Sequence, residues 1–264
     1  MSTDSTRKTI LVALAVCLVC SVLVSTAAVG LKGIQDKNRE LDKLKNILSA
    51  ANIDAGDIDI RRVFAEKVEA DIVEMSTGKI ISKDKYTALL NPDVFDIKRM
   101  AKDPQYSRKI SSSADIARIK QMPKYMVIYR VIEKGEIQKV ILPIYGKGLW
   151  STMYGFIALD KDLTTVKGFT FYDHGETPGL GGEVDNPRWK QSWIDKKIFD
   201  ENGKLKIEVI KDKVDRKKPD AQYQVDGLSG ATITTRGVDA LVRFWLSENG
   251  YGAFIERMRP GEQE

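Results

Sequence analysis

From Ile10 to Leu31 the chain carries no charged residue, and most positions are Leu, Val, Ala or Ile. As a helix rising 1.5 Å per residue, such a run crosses a hydrocarbon core of about 30 Å. The chain as a whole is 30% charged, so the run is a local departure from a water-soluble composition. It predicts one membrane anchor followed by a large soluble part. Arg7 and Lys8 precede the run and favour an N-terminus in the cytoplasm. Lys32, Lys37 and Arg39 lie beyond it, so the charge rule is only weakly satisfied. The alternative is a signal peptide cleaved near Ser25-Thr26-Ala27. The run exceeds the usual apolar region of about 7–15 residues in such peptides, which favours a retained anchor. Either reading puts the soluble part outside the cytoplasm.

Both cysteines, Cys17 and Cys20, fall inside the apolar run. Three apart on a helix, they share a face. Two small apolar side chains packing on a neighbour, or one half of a shared metal site, are the readings open to them. No cysteine follows, so the exported part relies on its core and not on disulfides. The formal net charge is +5, with acids interspersed among the lysines of Lys211–Lys218 and no aromatic–basic stripe. That pattern argues against nucleic-acid binding and fits a solvated surface near anionic lipid.

Three regions are expected: residues 1–34 as tail and anchor, 35–122 as a juxtamembrane helical and loop region, and 123–264 as an α+β domain. Leu41, Leu44, Ile47 and Leu48 mark a short amphipathic helix over Gln35–Leu48, and Ile60, Val63, Phe64 and Val68 mark another within Ile58–Ile72. Ser76–Gln121 reads as loops and short elements. Tyr125–Val131 and Ile137–Tyr145, joined across the turn Glu133-Lys134-Gly135-Glu136, form a hairpin signature. Met153–Leu159 and Val166–Tyr172 form a second strand pair. Pro187–Trp193 suggests a short helix, Leu205–Ile210 an edge strand, and Arg236–Ser247 a helix with one apolar face. Strands and helices do not alternate strictly, so the fold class is α+β with an antiparallel sheet.

Function is concentrated in three loops. The run Asp226-Gly227-Leu228-Ser229-Gly230-Ala231-Thr232-Ile233-Thr234 is nearly bare of bulky side chains and opens a helix pattern. Such a loop lets backbone N–H groups approach a phosphate and leaves a threonine hydroxyl accessible. The run Asp173-His174-Gly175-Glu176-Thr177-Pro178-Gly179-Leu180-Gly181-Gly182-Glu183 follows a strand and is shaped by four glycines and a proline. It holds the chain's one histidine, His174. With no other His or Cys in the exported part, a transition-metal site lacks ligands. A general acid, or a loop histidine hydrogen-bonded locally, are the remaining readings. The third loop is Gly146-Lys147-Gly148-Leu149-Trp150-Ser151, a glycine-bounded turn in which Trp150 either fills the core or covers a bound ring.

These loops resemble the FMN-binding domain family, in which an Asp is followed by Ser/Thr-Gly-Ala-Thr/Ser. The resemblance implies FMN held covalently through a phosphoester on Thr232, within a loop made by Asp226, Leu228, Ser229, Gly230 and Ala231. It also implies that Glu176 and Thr177 offer polar contacts to the flavin. Leu180 would pack on the ring system and Gly179 would permit close approach. Gly148, Trp150 and Ser151 would complete the pocket. No catalytic residue and no metal is implied.

With its anchor and long preceding segment, the whole chain resembles the C-subunit family of sodium-translocating NADH:quinone oxidoreductases. The implied role is an electron relay in a multi-subunit complex of the bacterial inner membrane. The large domain would lie on its periplasmic side. The implied partners are the other subunits, the lipid bilayer, and a flavin transferase using FAD as FMN donor. The nearest alternative is the equivalent flavin-bearing member of the Rnf-type ferredoxin:NAD oxidoreductase; the longer segment before the hairpins and the Gly-Lys-Gly-Leu-Trp-Ser run favour the quinone reductase. A cofactor-free scaffold and a stand-alone exported flavin reductase are more remote. No strand–Gly-x-Gly-x-x-Gly–helix fingerprint is present, so NADH is expected to bind elsewhere.

Overall fold

The computed structural model describes residues 6–54, 56 and 58–259. The chain divides into two compact units, Met1–Lys43 and Leu44–Glu264. The described residues of the first lie in helix α1, Thr6–Ala50. Its Thr6–Gln35 portion is long and apolar enough to cross a membrane, and it carries Cys17 and Cys20 as exposed free thiols. The sequence suggests a separate helix over Gln35–Leu48; the structure has a single helix through Ala50. No proline interrupts it, and the segment after Gln35 is rich in Leu and Lys, both good helix formers.

In the second unit, α2 (Ile60–Lys67) starts where the Asp59 carboxylate accepts the Arg61 amide. The helix stops at Lys67 and the chain becomes strand β1, Val68–Glu74. The sequence reading carries the helix on to Ile72. The β-branched Val68, Ile72 and Val73 instead fill a sheet, where such side chains pack well. After short 3₁₀ turns come α3 (Ile97–Lys102), β2 (Ser107–Lys109) and β3 (Gln121–Pro123). Then follow β4 (Tyr125–Glu133), β5 (Glu136–Lys147), β6 (Thr152–Asp160) and β7 (Val166–Asp173).

The main sheet is antiparallel throughout, in the order β1-β4-β5-β6-β7. Both hairpins expected from the sequence are present. Lys134 and Gly135 have φ of 52° and 82°, the left-handed pair that a tight hairpin turn requires. The edge strand β1 comes from the segment read as accessory to the domain. Helix α4 (Pro187–Gln191) is present as expected. The expected edge strand over Leu205–Ile210 shrinks to β8, Glu208–Val209, paired in parallel with β9, Gln224–Val225, in a small separate sheet. Helices α5 (Thr232–Leu246) and α6 (Gly252–Met258) close the unit.

Helix α5 is clamped to the sheet. Trp245 Nε1 donates to the Tyr145 carbonyl at 2.6 Å, and the Tyr251 hydroxyl donates to the Pro143 carbonyl at 2.8 Å. A β-carbon on Gly237 would lie 2.6 Å from the Lys147 carbonyl oxygen. This close approach brings the start of α5 beside the β5–β6 turn. Phe169 and Trp193 rings stack at 4.0 Å between centroids, anchoring the segment after β7 on the sheet.

Candidate cofactor site

The three sequence-flagged loops meet at the carboxylate of Glu176, which is buried. It accepts the amides of Trp150 at 3.0 Å, Leu149 at 3.2 Å and Ser151 at 3.4 Å, and the hydroxyl of Thr234 at 2.6 Å. Burial pushes this carboxyl up. The Thr234 hydroxyl and the three amides outweigh burial and hold it below the usual glutamate range. A β-carbon on Gly148 would meet Glu176 Oε1 at 2.5 Å, and one on Gly181 would meet Thr234 Oγ1 at 2.6 Å. Both glycines therefore serve close approach to this carboxylate.

The neighbouring loops are pinned in the same way. Gly148 donates to the Ser151 carbonyl at 2.8 Å, closing the β5–β6 turn. Ser151 Oγ accepts the Gly175 amide at 2.7 Å. The Thr177 carbonyl accepts the amides of Leu180 and Gly182. With Pro178 and then Gly179 at φ 76°, Thr177–Leu180 has the pattern of a type II turn. His174 Nε2 and Asp185 Oδ2 are 2.8 Å apart, and His174 Nδ1 accepts the Glu176 amide. The histidine is thus the locally bonded one. Its bond to Asp185 raises its pKa against the opposing effect of burial.

Helix α5 begins at Thr232, four residues earlier than its apolar pattern suggests. Its N-cap, Ala231, makes no side-chain bond, so the first-turn amides are uncapped. Three threonines lie in this turn. Thr234 is committed to Glu176, and Thr235 Oγ1 accepts the Leu228 amide and donates to the Ala231 carbonyl. Thr232, half-buried, has a hydroxyl with no hydrogen-bond partner among the described residues. On the loops that meet at Glu176, Leu149, Trp150, Leu180 and Ile233 are all exposed, Trp150 by 66%. Trp150 therefore does not fill the core. Gly230, at φ 74°, brings the backbone to Leu180: a β-carbon there would lie 3.2 Å from Leu180 Cδ2.

A model of the FMN-binding domain family matches residues 148–247, the span from the β5–β6 turn to the end of α5. The C-subunit of the Na(+)-translocating NADH-quinone reductase of Pseudomonas aeruginosa is 45% identical over 262 residues, covering 98% of each chain. The C-subunit of the Yersinia pestis reductase is 44% identical, covering 98% of this chain and 95% of its own. This chain belongs to that C-subunit family. The crystal structure of Shewanella oneidensis NqrC superposes with a TM-score of 0.76 at 33% identity, covering 84% of this chain and 98% of that one.

Within this C-subunit frame, the flagged residues fall into distinct jobs. Glu176 saturates protein donors and joins the loops. Asp226 reaches back to accept the Val214 amide at 2.6 Å, while its carbonyl accepts Trp189 Nε1 at 2.8 Å. Asp226 thus ties its loop to a segment 12 positions earlier in the chain. Thr177 and Ser229 are exposed. The sequence by itself assigns no role to Thr234, Thr235, Trp189 or the exposed Ile233. Hydroxyls on adjacent residues in a first helical turn were the available signal for two of them.

The site suits a flavin phosphate ester. It combines uncapped helix amides for a phosphate, one free hydroxyl among them, and an exposed apolar rim for a flat ring.

Proposed function

We propose that this chain carries FMN esterified to Thr232 and acts as one electron relay in a membrane NADH:quinone reductase complex. The observation that carries this reading is the Thr232 hydroxyl, which is unengaged among the described residues while Thr234 and Thr235 are committed to the fold. The first-turn amides of α5 would hold the phosphate. Leu149, Trp150, Leu180 and Ile233 would bed the ring, and Gly179 and Gly230 would keep its approach clear. When bound, FMN supplies reversible electron transfer. The chain supplies position, shielding and a tether that keeps the group at high local concentration.

A threonine hydroxyl is a weak nucleophile at neutral pH. No base among the described residues touches Thr232, and the Glu176 carboxylate is taken up by four donors. A separate flavin transferase is therefore the agent of attachment. From FAD, Thr232 Oγ would gain the bond to phosphorus, lose its proton, and release AMP. The large unit is assigned to the periplasmic side, from Arg7 and Lys8 before the apolar run. Sodium movement belongs to other subunits, because the apolar run offers no ionisable carboxylate or amine.

The deciding experiment is mass spectrometry of the tryptic peptide containing Thr232, from cells that express the transferase. An added FMN phosphoester on Thr232 is expected. A bare peptide from a colourless protein would refute the reading.

A further inference from the structure

A cavity of about 200 Å³ lies in the sheet unit, lined by residues outside the cofactor site. Lys98 and Lys102 of α3 line it, with Arg118 and Lys120 of the loop before β3. Tyr145 and Tyr154, their rings stacked at 5.3 Å, also line it. Lys98 is neutralised by Asp173. Among the described residues, Lys102, Arg118 and Lys120 have no ion-pair partner. The acid of their own loop, Asp115, gives its carboxylate oxygens to the amides of Ile119 and Lys120, each at 2.8 Å.

Two further observations point to a ligand. Arg118 and Lys120 have φ of 55° and 65°. Left-handed backbone is rare for such residues and is the usual place for Gly or Asn. Strained backbone of this kind clusters where ligands are held. In addition, Tyr145 lines the cavity while only 4% exposed, and among the described residues its hydroxyl has no hydrogen-bond partner. Cations without an ion-pair partner around one cavity suit the oxygens of an anion.

We propose that this cavity is a binding site for a phosphate-bearing anion. Arg118 supplies a planar fork suited to phosphate oxygens, and Lys102 and Lys120 supply point charges. The phosphate can come from a soluble monoester or from a lipid headgroup.

Titration calorimetry of the full-length chain in neutral detergent at low salt tests this, with three probes. Inorganic phosphate and AMP represent soluble sources; glycerophosphoglycerol represents a headgroup. Saturable binding of at least one is expected. In the double variant Arg118→Asn/Lys120→Asn, affinity is expected to fall roughly tenfold or more. Its unfolding temperature without ligand should be maintained or raised, because Asn tolerates left-handed backbone. In Lys211→Ala/Lys213→Ala, which removes exposed cations elsewhere, binding is expected to persist. Preference for phosphate or AMP marks a soluble ligand, and preference for glycerophosphoglycerol a lipid. Absence of saturable binding by all three, equal binding in the Asn variant, or equal loss in the Lys211/Lys213 control would each overturn the proposal.

Discussion

Thr234 donates its hydroxyl to the buried carboxylate of Glu176 at 2.6 Å, across 58 positions of sequence. Through this bond the first turn of α5 and the β5–β6 turn are held to one another. Hydrogen bonds to charged groups are worth about 1.5–3 kcal/mol. Thr234→Val keeps the branched shape and removes the donor. It is expected to cost that amount, lowering the unfolding temperature by about 2–4 °C per kcal/mol. A double-mutant cycle with Glu176→Gln should show coupling beyond roughly 0.5 kcal/mol. Strict additivity in thermal unfolding would mean that the two side chains do not act together.

The same carboxylate predicts an acid limb of stability. Its folded pKa lies below its unfolded one. Its contribution is therefore complete above the ordinary glutamate value of about 4.3 and is lost as pH falls through the folded value. Urea unfolding as a function of pH should show stability falling on acidification below about pH 4.3, and the fall should be shallower in Glu176→Gln. An identical acid limb in the variant would assign the loss to other groups.

His174 titrates in the opposite sense. The bond to Asp185, the main cause, raises its folded pKa above the ordinary value of about 6.5. Its stabilisation is thus present below that value and lost as pH rises through the folded one. The chain has one histidine, so a single imidazole NMR signal reports it. Asp185→Asn is expected to move the titration midpoint down. An unchanged midpoint would contradict the assigned partner.

Thr232→Ala removes a hydroxyl that has no hydrogen-bond partner among the described residues. Stability should change by no more than about 0.5 kcal/mol, while flavin fluorescence on denaturing gels disappears. A fluorescent band in this variant would move the attachment elsewhere.

Trp150 is 66% exposed on the rim of the site. Trp150→Ala should therefore leave stability within about 0.5 kcal/mol and yet shift the absorbance and fluorescence of bound flavin. A large loss of stability with an unchanged flavin spectrum would restore the core reading that its sequence left open.

Local chemistry in this chain was readable without coordinates. The membrane anchor, the Lys134-Gly135 turn, both hairpins and the three glycine-bearing loops follow from composition, period and turn residues. These are short-range properties, set by backbone sterics and by the apolar character of neighbouring side chains. The tertiary structure decided what depends on distant partners. Val68–Ile72 carries an apolar pattern that fits a helix, and pairing with β4 makes it a strand. Leu205–Ile210 alternates like a strand, and only two of its residues find a partner, in β9. Glu176 reads as a ligand contact until the fold surrounds it with four donors from two other elements. Three threonines stand within four positions of sequence, and only packing singles out Thr232, because a hydroxyl is spent or spare according to what lies across from it.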